Sequence, residues 1–398
     1  MSGLTLIATT GFGLEAIVGR ELAHLGYPDH RITDGRVEFT GTPLAICRAN
    51  IFLRCSDRVV LKLGEFEAGD FGALFDGTTE LPWADILPRN AEFPVSGRSV
   101  RSTLHSVPHC QSIVKKAIVE NLRRHHRCRT LDETGPRFRI DVSLLRDRAT
   151  LTIDTSGSGL HQRGYRLTTG PAPLRETLAA ALVRLSGWSR DRPFIDPFCG
   201  SGTIAIEAAM MGRNFAPGCH RAFDAQAWPI VPQHLWNEAG DEARDLVEPP
   251  LDAPLIATDC DDRVLRSARH NAARAGVEAD LHIQRRDISE LSSQRAHGCV
   301  VCNPPWGHRV GDAGRMNELH REISRVFGKL DDWSYCVLSA DRHFEREFGR
   351  KAAKRRKLYN AKIACTCYQY FGPRPSAAGN KGCSRSIVNH PGCSQHPG

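Results

Sequence analysis

The 398-residue sequence has no run approaching the ~20 consecutive apolar residues that a membrane helix needs, so no spanning helix is expected. Its first ten residues lack a basic stretch followed by an apolar one, and no secretory leader is expected. Glycine (35) and proline (23) are not in the excess that marks low-complexity chains. The 14 cysteines show no spacing typical of a disulfide framework, which points to a reducing, cytoplasmic setting. Cys299 and Cys302 form one CxxC pair without a second at zinc-ribbon distance, and Cys365 and Cys367 lie two apart. All four read as buried, neutral thiols, and no metal is expected. The GxGxxG dinucleotide fingerprint is also missing.

What is present begins with charge. The net charge of +8 is concentrated in two segments. Residues 98–129 hold Arg98, Arg101, Lys115, Lys116, Arg123, Arg124, Arg127 and Arg129 against Glu120 alone. Residues 342–362 hold nine basic residues, among them Lys354, Arg355 and Arg356, against Glu345 and Glu347. The remainder of the chain is therefore net negative. Concentrated positive charge is the footprint of a phosphate-binding surface. Each segment taken alone also fits a solvated helix face; the two together favour nucleic acid.

Hydrophobic periodicity divides the chain. A strand over 4–8, a helix from Leu14 to Leu25 ended by Gly26, and a strand over 37–39 make a small first unit, 1–42. Residues 43–156 mix helices (43–53, within 69–83, 112–124) with a strand at 59–63 and a hairpin of 138–142 and 149–153. Past Gly157, strands at 194–196, 255–259, 281–283, 298–302 and 334–338 alternate with helices at 174–185, 203–211 and 262–275. Such alternation predicts an α/β, doubly wound parallel sheet over 157–375. Residues 213–250, rich in Pro and Trp, read as an insertion. Residues 376–398, rich in Gly, Ser, Pro and His, read as a disordered tail.

Four motifs fall at predicted strand ends. Asp196-Pro197-Phe198-Cys199-Gly200-Ser201-Gly202-Thr203 follows a strand and opens a helix. Its glycines admit a ligand close to the backbone, and free N–H groups face that ligand at the helix start. A strand-end Asp before a GxG turn suits a cofactor bearing an ammonium group, such as S-adenosylmethionine. Asp259, followed by Cys260, ends the next strand, where a carboxylate can accept both hydroxyls of a ribose. Asp261 and Asp262 can start the following helix without it. Asp287, after the third strand, is placed to accept from an adenine amino group while Ile288 packs on the ring; a turn or cap role is the plainer alternative.

The fourth motif, Asn303-Pro304-Pro305-Trp306-Gly307, ends the fourth strand. An aromatic-ring amine is a poor nucleophile because its lone pair is delocalised. The side-chain carbonyl of Asn303 and the main-chain carbonyl of Pro304 can accept both amine hydrogens, favouring a pyramidal nitrogen. The prolines hold those carbonyls rigidly, and Trp306 can stack on an extruded base. Transfer would be direct and in line, carried by positioning and electrostatics. Cys302 supplies no adduct in this scheme and is read as structural.

At these residues the chain resembles the THUMP-domain guanine-N2 RNA methyltransferases of the RlmL type, the N-terminal half of the bifunctional RlmKL family. The likeness covers about 4–375. It is carried by Ala8-Thr9-Thr10-Gly11-Phe12-Gly13-Leu14-Glu15, by 93–100 and 106–118, by His161-Gln162-Arg163-Gly164-Tyr165-Arg166, by 172–182 with Pro173, and by 356–360. The resemblance implies a ferredoxin-like domain (1–42), a THUMP RNA-binding domain (43–156) and a Rossmann-like class I methyltransferase domain (157–375). It also implies that the stretch around Pro173 helps hold the cofactor. The implied product is N2-methylguanosine in structured RNA, foremost 23S ribosomal RNA, with transfer RNA or a ribosome precursor as alternatives. The second methyltransferase domain of larger relatives is expected to be absent, and a monomer is expected. An adenine-N6 methyltransferase shares the Asn-Pro-Pro-aromatic motif, although the THUMP-like region argues against DNA. A non-catalytic assembly factor is the reading from another class; the intact Asp196, Gly200, Gly202, Asp259 and Asn303 oppose it.

Overall fold

Alternating apolar and polar residues give the first half its strands. In chain order it contains β1 (Leu4–Thr9), α1 (Glu15–His24), β2 (His30–Thr33), β3 (Arg36–Gly41), α2 (Pro43–Phe52) and β4 (Arg58–Glu67). There follow α3 (Phe71–Thr79), α4 (Trp83–Ile86), β5 (Val95–Val100), α5 (Val107–His126), β6 (Arg139–Leu145) and β7 (Arg148–Asp154). The structure, a computed structural model, describes residues 3–166, 174–306, 313–330 and 332–373. Pro173 and the predicted tail at 376–398 lie outside the described residues.

The strands of this half join in one sheet, ordered β2-β3-β1-β4-β7-β6-β5. It runs without a break across residue 42, because β4 pairs with β1 on one side and β7 on the other. Leu6, Ala8, Ile17, Val18 and Leu22 are buried between β1 and α1, as the helical spacing predicts. Glu15 ties the start of α1 to the β2–β3 turn by accepting from Gly13 N (2.8 Å) and Gly35 N (2.9 Å). The β6–β7 hairpin turns at Arg146 (φ 52°) and Asp147 (φ 59°). Left-handed φ at both central residues is what a tight type I′ hairpin requires. Helix α5 begins at Val107, before the predicted 112, because Pro108 in the first turn needs no hydrogen-bonded N–H.

The second half contains α6 (Glu176–Ser186), β8 (Phe194–Asp196), α7 (Thr203–Gly212), α8 (Gln233–Asp245), β9 (Leu255–Asp259), α9 (Asp262–Arg274) and β10 (Leu281–Arg285). It continues with β11 (Cys299–Cys302), α10 (Ala313–Phe327), β12 (Ser334–Ser339), α11 (Phe344–Phe348), β13 (Lys354–Asn360) and β14 (Ile363–Tyr370). The sheet order is β10-β9-β8-β11-β12-β14-β13. Strands β8 to β12 are mutually parallel, and β14 runs antiparallel to β12 and β13. The chain leaves β8 toward β9 and later returns on its other side as β11. That reversal opens a crevice beyond the carboxyl ends of β8 and β11, where doubly wound sheets bind ligands.

The basic segment 342–362 is not a helix face. Helix α11 covers only 344–348, and from 354 the chain is β13. There Leu358 and Asn360 turn inward while Lys357 and Tyr359 stay exposed, the period of a strand rather than a helix. The insertion at 213–250 joins the two halves. Helix α8 lies on α2, with Glu242 accepting a bidentate pair from Arg48 (2.6 and 2.7 Å). Trp228 stacks on Phe138 with ring centroids 4.5 Å apart and donates to Arg137 O at 3.0 Å. Among the described residues no helix is long and apolar enough to cross a membrane.

Candidate functional site

The carboxyl ends of β8, β9 and β11 bring Asp196, Asp259 and Asn303 to one edge of the sheet. Asp196 is fully buried. Its Oδ1 accepts from Phe198 N at 3.3 Å, and its Oδ2 has no partner among the described residues. Burial pushes its carboxyl well above the usual carboxylate range, with nearby Asp259 adding to the rise against the Phe198 bond.

The turn from Cys199 to Gly202 is held from three directions. Cys199 N donates to Thr258 O (2.9 Å), Gly200 N to Asp259 Oδ2 (3.0 Å), and Asn271 Nδ2 on α9 to Ser201 O (3.0 Å). Gly200 (φ 52°) and Gly202 (φ 84°) both take left-handed conformations, and Gly202 caps α7. The Cys199 thiol is raised by burial, and Ser201 Oγ lies 3.4 Å from Thr203 Oγ1. A β-carbon at Gly202 would stand 3.2 Å from Ala268 Cβ. Gly202→Ala therefore combines backbone strain with a tight contact against α9. A loss of about 1–2 kcal/mol is expected, read as a lower unfolding midpoint in urea; an unchanged midpoint would show the turn to be pliable.

Asp261, not Asp259, caps α9 by accepting from Arg263 N (2.8 Å). Asp259 is half-buried, and Cys260 beside it is exposed. Asp287 does serve as a cap: its Oδ1 accepts from Ser289 N (2.9 Å) and Ser289 Oγ (2.7 Å), bonds that hold its carboxyl below the usual range. It remains exposed, with Ile288 buried behind it.

Asn303 follows β11, whose four residues are all buried. Its side-chain Oδ1 is buried without a hydrogen-bond partner among the described residues, and Pro304 next to it is buried. Trp306 is half-buried and donates from Nε1 to Leu338 O at 3.4 Å, which anchors the motif to the end of β12. Burial drives the Cys302 thiol well above its ordinary value, so it is no nucleophile at neutral pH.

Two buried ion pairs behind the turn were not legible beforehand. Arg163 pairs with Glu207 of α7 (3.4 Å), and Tyr165 also donates to Glu207 (3.3 Å). Arg166 pairs with Glu176 of α6 (3.5 Å) and donates to Thr203 Oγ1 and to Leu174 O (3.1 Å). Their residues stand in the 161–166 and 172–182 stretches, but no spacing in the sequence reveals their partners.

The proposed RNA contacts divide. Arg98, Arg101, Lys116, Arg123 and Arg124 are exposed on β5, after it and on α5. Lys115 is half-buried, pairs with Glu133 (2.8 Å) and lies 3.5 Å from the centre of the Phe93 ring. Arg355 pairs with Glu345 (2.7 Å), and Arg356 donates to Gly13 O (2.8 Å), so both already serve the fold. Lys354 is exposed beside the Phe371 ring.

Comparison with known proteins then decides the family. The RMKL-like methyltransferase domain matches residues 163–369, the RlmL ferredoxin-like domain 5–60 and the THUMP domain 68–154. The chain belongs to the RMKL-like methyltransferase family. The Bacillus subtilis protein named "Putative RNA methyltransferase YpsC" is 44% identical over 373 residues, 93% of this chain and 97% of its own. A Listeria monocytogenes structure titled as a predicted N6-adenine-specific DNA methylase is 47% identical with a TM-score of 0.89, covering 94% of this chain and 97% of its own. SMU.472, solved in complex with SAH, is 40% identical with a TM-score of 0.89, covering 94% and 100%.

As in other members of a methyltransferase family, the cofactor is S-adenosylmethionine. The residues present fit it. Asp196 offers a buried, unpartnered carboxylate oxygen, as a ligand ammonium requires. The two left-handed glycines add no side chain at their positions in the turn, and Asp259 is aligned by Gly200 N and by Asp261 N (3.1 Å).

Proposed function

We propose that this RMKL-like methyltransferase forms N2-methylguanosine in structured RNA, foremost 23S ribosomal RNA. The observation that carries the proposal is the buried, unpartnered Oδ1 of Asn303 at the end of β11, beside the switch point of the sheet. A buried acceptor left open costs free energy unless a ligand donor meets it, and an exocyclic amine is such a donor. When bound, S-adenosylmethionine supplies an electrophilic methyl group. Asn303 Oδ1 and the Pro304 carbonyl accept the amine hydrogens and orient its lone pair. Both carbonyl dipoles also stabilise positive charge developing on that nitrogen. Trp306, braced on Leu338 O, confines the base.

In this reading Asp196 takes the ammonium of the cofactor, Asp259 its ribose and Asp287 with Ile288 its adenine, with Phe198, Cys199, Ser201 and Thr203 forming the wall between. RNA is the substrate because a THUMP domain, which carries the exposed Arg98, Arg101, Arg123 and Arg124, precedes the methyltransferase domain. The name of the YpsC relative agrees.

The name of the Listeria relative favours an adenine amino group instead. The same acceptors suit either amine. Mass spectrometry of nucleosides in ribosomal and transfer RNA, from cells with and without the gene, separates the two. Loss of N2-methylguanosine from one 23S site supports the proposal; loss of N6-methyladenosine, or no change, rejects it.

Asp196→Asn tests the cofactor side. A carboxyl raised in the folded state favours the fold at pH values below its usual range, and that contribution is lost as pH rises. The asparagine variant should therefore raise the thermal midpoint of the ligand-free protein at pH 7, with the gain shrinking toward pH ~4. It should also weaken SAH binding by about tenfold or more, the worth of a charged hydrogen bond. Undiminished SAH affinity in calorimetry would remove Asp196 from the cofactor site.

A further inference from the structure

A cavity of about 650 Å³ opens at the seam between the two halves, beside the cofactor turn but not lined by it. Its walls are the 158–166 segment, the start of α6, the β13–β14 turn and Arg221 from the insertion. None of Asp196–Thr203, Asp259 and Asn303 lines it. Arg163, Arg166, Arg175, Arg221 and His161 do.

The four arginines are not equally balanced. Arg163 and Arg166 face Glu207 and Glu176. Arg221 gives its guanidinium to the carbonyls of Ser156, Ser158, Gly159 and Gln162 and bonds no carboxylate. The Arg175 guanidinium, half-buried, makes no hydrogen bond or ion pair with the described residues. The Nε groups of Arg166 and Arg221 are buried without partners, although the Arg166 side chain is only 7% exposed.

The neighbouring acids do not cancel this excess. Asp154 is matched by Arg58 and Asp224 by Arg139. Asp57 is bonded to Thr177 (3.2 Å) and attracts Arg175 only at longer range, without an ion pair between them. His161 reports the resulting field. Burial, followed by Arg175, Arg163, Arg58 and Arg221, pushes its pKa down to about 4.

We propose that this cavity takes a backbone phosphate of the RNA strand adjoining the target nucleotide, so that the substrate crosses the seam between THUMP-bearing and methyltransferase halves. The inference rests on the RNA reading above. Two guanidinium groups without an ion pair among the described residues, in a pocket sized for a nucleotide, match a phosphodiester better than a neutral group.

The test uses the full chain and needs no turnover. Binding of a mixed-sequence single-stranded RNA oligonucleotide is followed by fluorescence anisotropy over a salt series, for the wild type, Arg175→Gln and Arg175→Lys. SAH binding is measured by calorimetry on the same samples. Arg175→Gln should weaken RNA binding by about tenfold and lower the salt slope by about 0.7, with SAH affinity unchanged. Arg175→Lys, which keeps the charge, should keep the slope. RNA affinity and slope unchanged in Arg175→Gln would overturn the inference and leave the RNA reading standing. A parallel fall in SAH affinity would overturn it by assigning the cavity to the cofactor. A wild type that binds no RNA would remove both.

Discussion

An Asn303→Ala variant is expected to transfer methyl groups about 10²–10³-fold more slowly than the wild type, the effect of removing one preorganised polar group at a centre of developing charge. Its affinities for SAH and RNA should be largely unchanged. The separation follows from position. Asn303 stands at the end of a fully buried strand, whereas Asp196 lies one strand away, and Asp259, bonded to Gly200 N, lies two strands away. The Asn303 side-chain oxygen has no partner to lose, so its removal leaves no buried group stranded. Single-turnover kinetics on labelled cofactor, with anisotropy and calorimetry on the same protein, would check this. Normal transfer by the variant would show that the amine is activated by some other group.

The largest expected effect on stability belongs to Arg163. Its side chain is 2% exposed and that of its partner Glu207 is 0% exposed. The guanidinium also donates to Leu160 O (2.7 Å) and to Arg54 O, binding the first half of the chain to α7. Arg163→Met strands the Glu207 carboxylate in the interior and leaves both carbonyls unmet. Breaking a buried pair on one side costs about 3–5 kcal/mol. Arg163→Met with Glu207→Leu should recover part of the loss, since no charge is left unpaired. Urea unfolding of the three proteins measures this. A single-variant loss below about 1 kcal/mol, the range of an exposed pair, would contradict a structural role for the bridge.

Much of the second half was legible because its strands are short, apolar and bounded by polar turns. The segments 194–196 and 255–259 were read with the bounds they have, and the chemistry-bearing residues sit at their ends. The first half was harder. Strand β2 carries only His30–Thr33 with no buried residue, so it leaves no hydrophobic signature. In the second half the exception is strand β14, which mixes Cys, Thr, Gln and Tyr; its apolar character emerges only on pairing with β12 and β13. Charge alone left the local structure of residues 342–362 open, because charge is blind to period: the same basic run suits a helix face or an edge strand.

Within the site, the one-dimensional pattern identified the turn glycines and the strand-end acids, since each needs only its own neighbours. It did not reveal that Arg355 and Arg356 are engaged by Glu345 and Gly13, or that Arg163 and Arg166 are neutralised by Glu207 and Glu176. Such partners lie up to 343 residues apart in the chain. Only the folded arrangement brings them together, and only there does the unbalanced charge of Arg175 and Arg221 become visible.

The central claim concerns the atom that receives the methyl group. Purified protein incubated with methyl-labelled S-adenosylmethionine and unmodified 23S transcript, followed by digestion and nucleoside mass spectrometry, tests it directly. The account predicts label in N2-methylguanosine; label in N6-methyladenosine, or none in a protein that binds both cofactor and RNA, would contradict it.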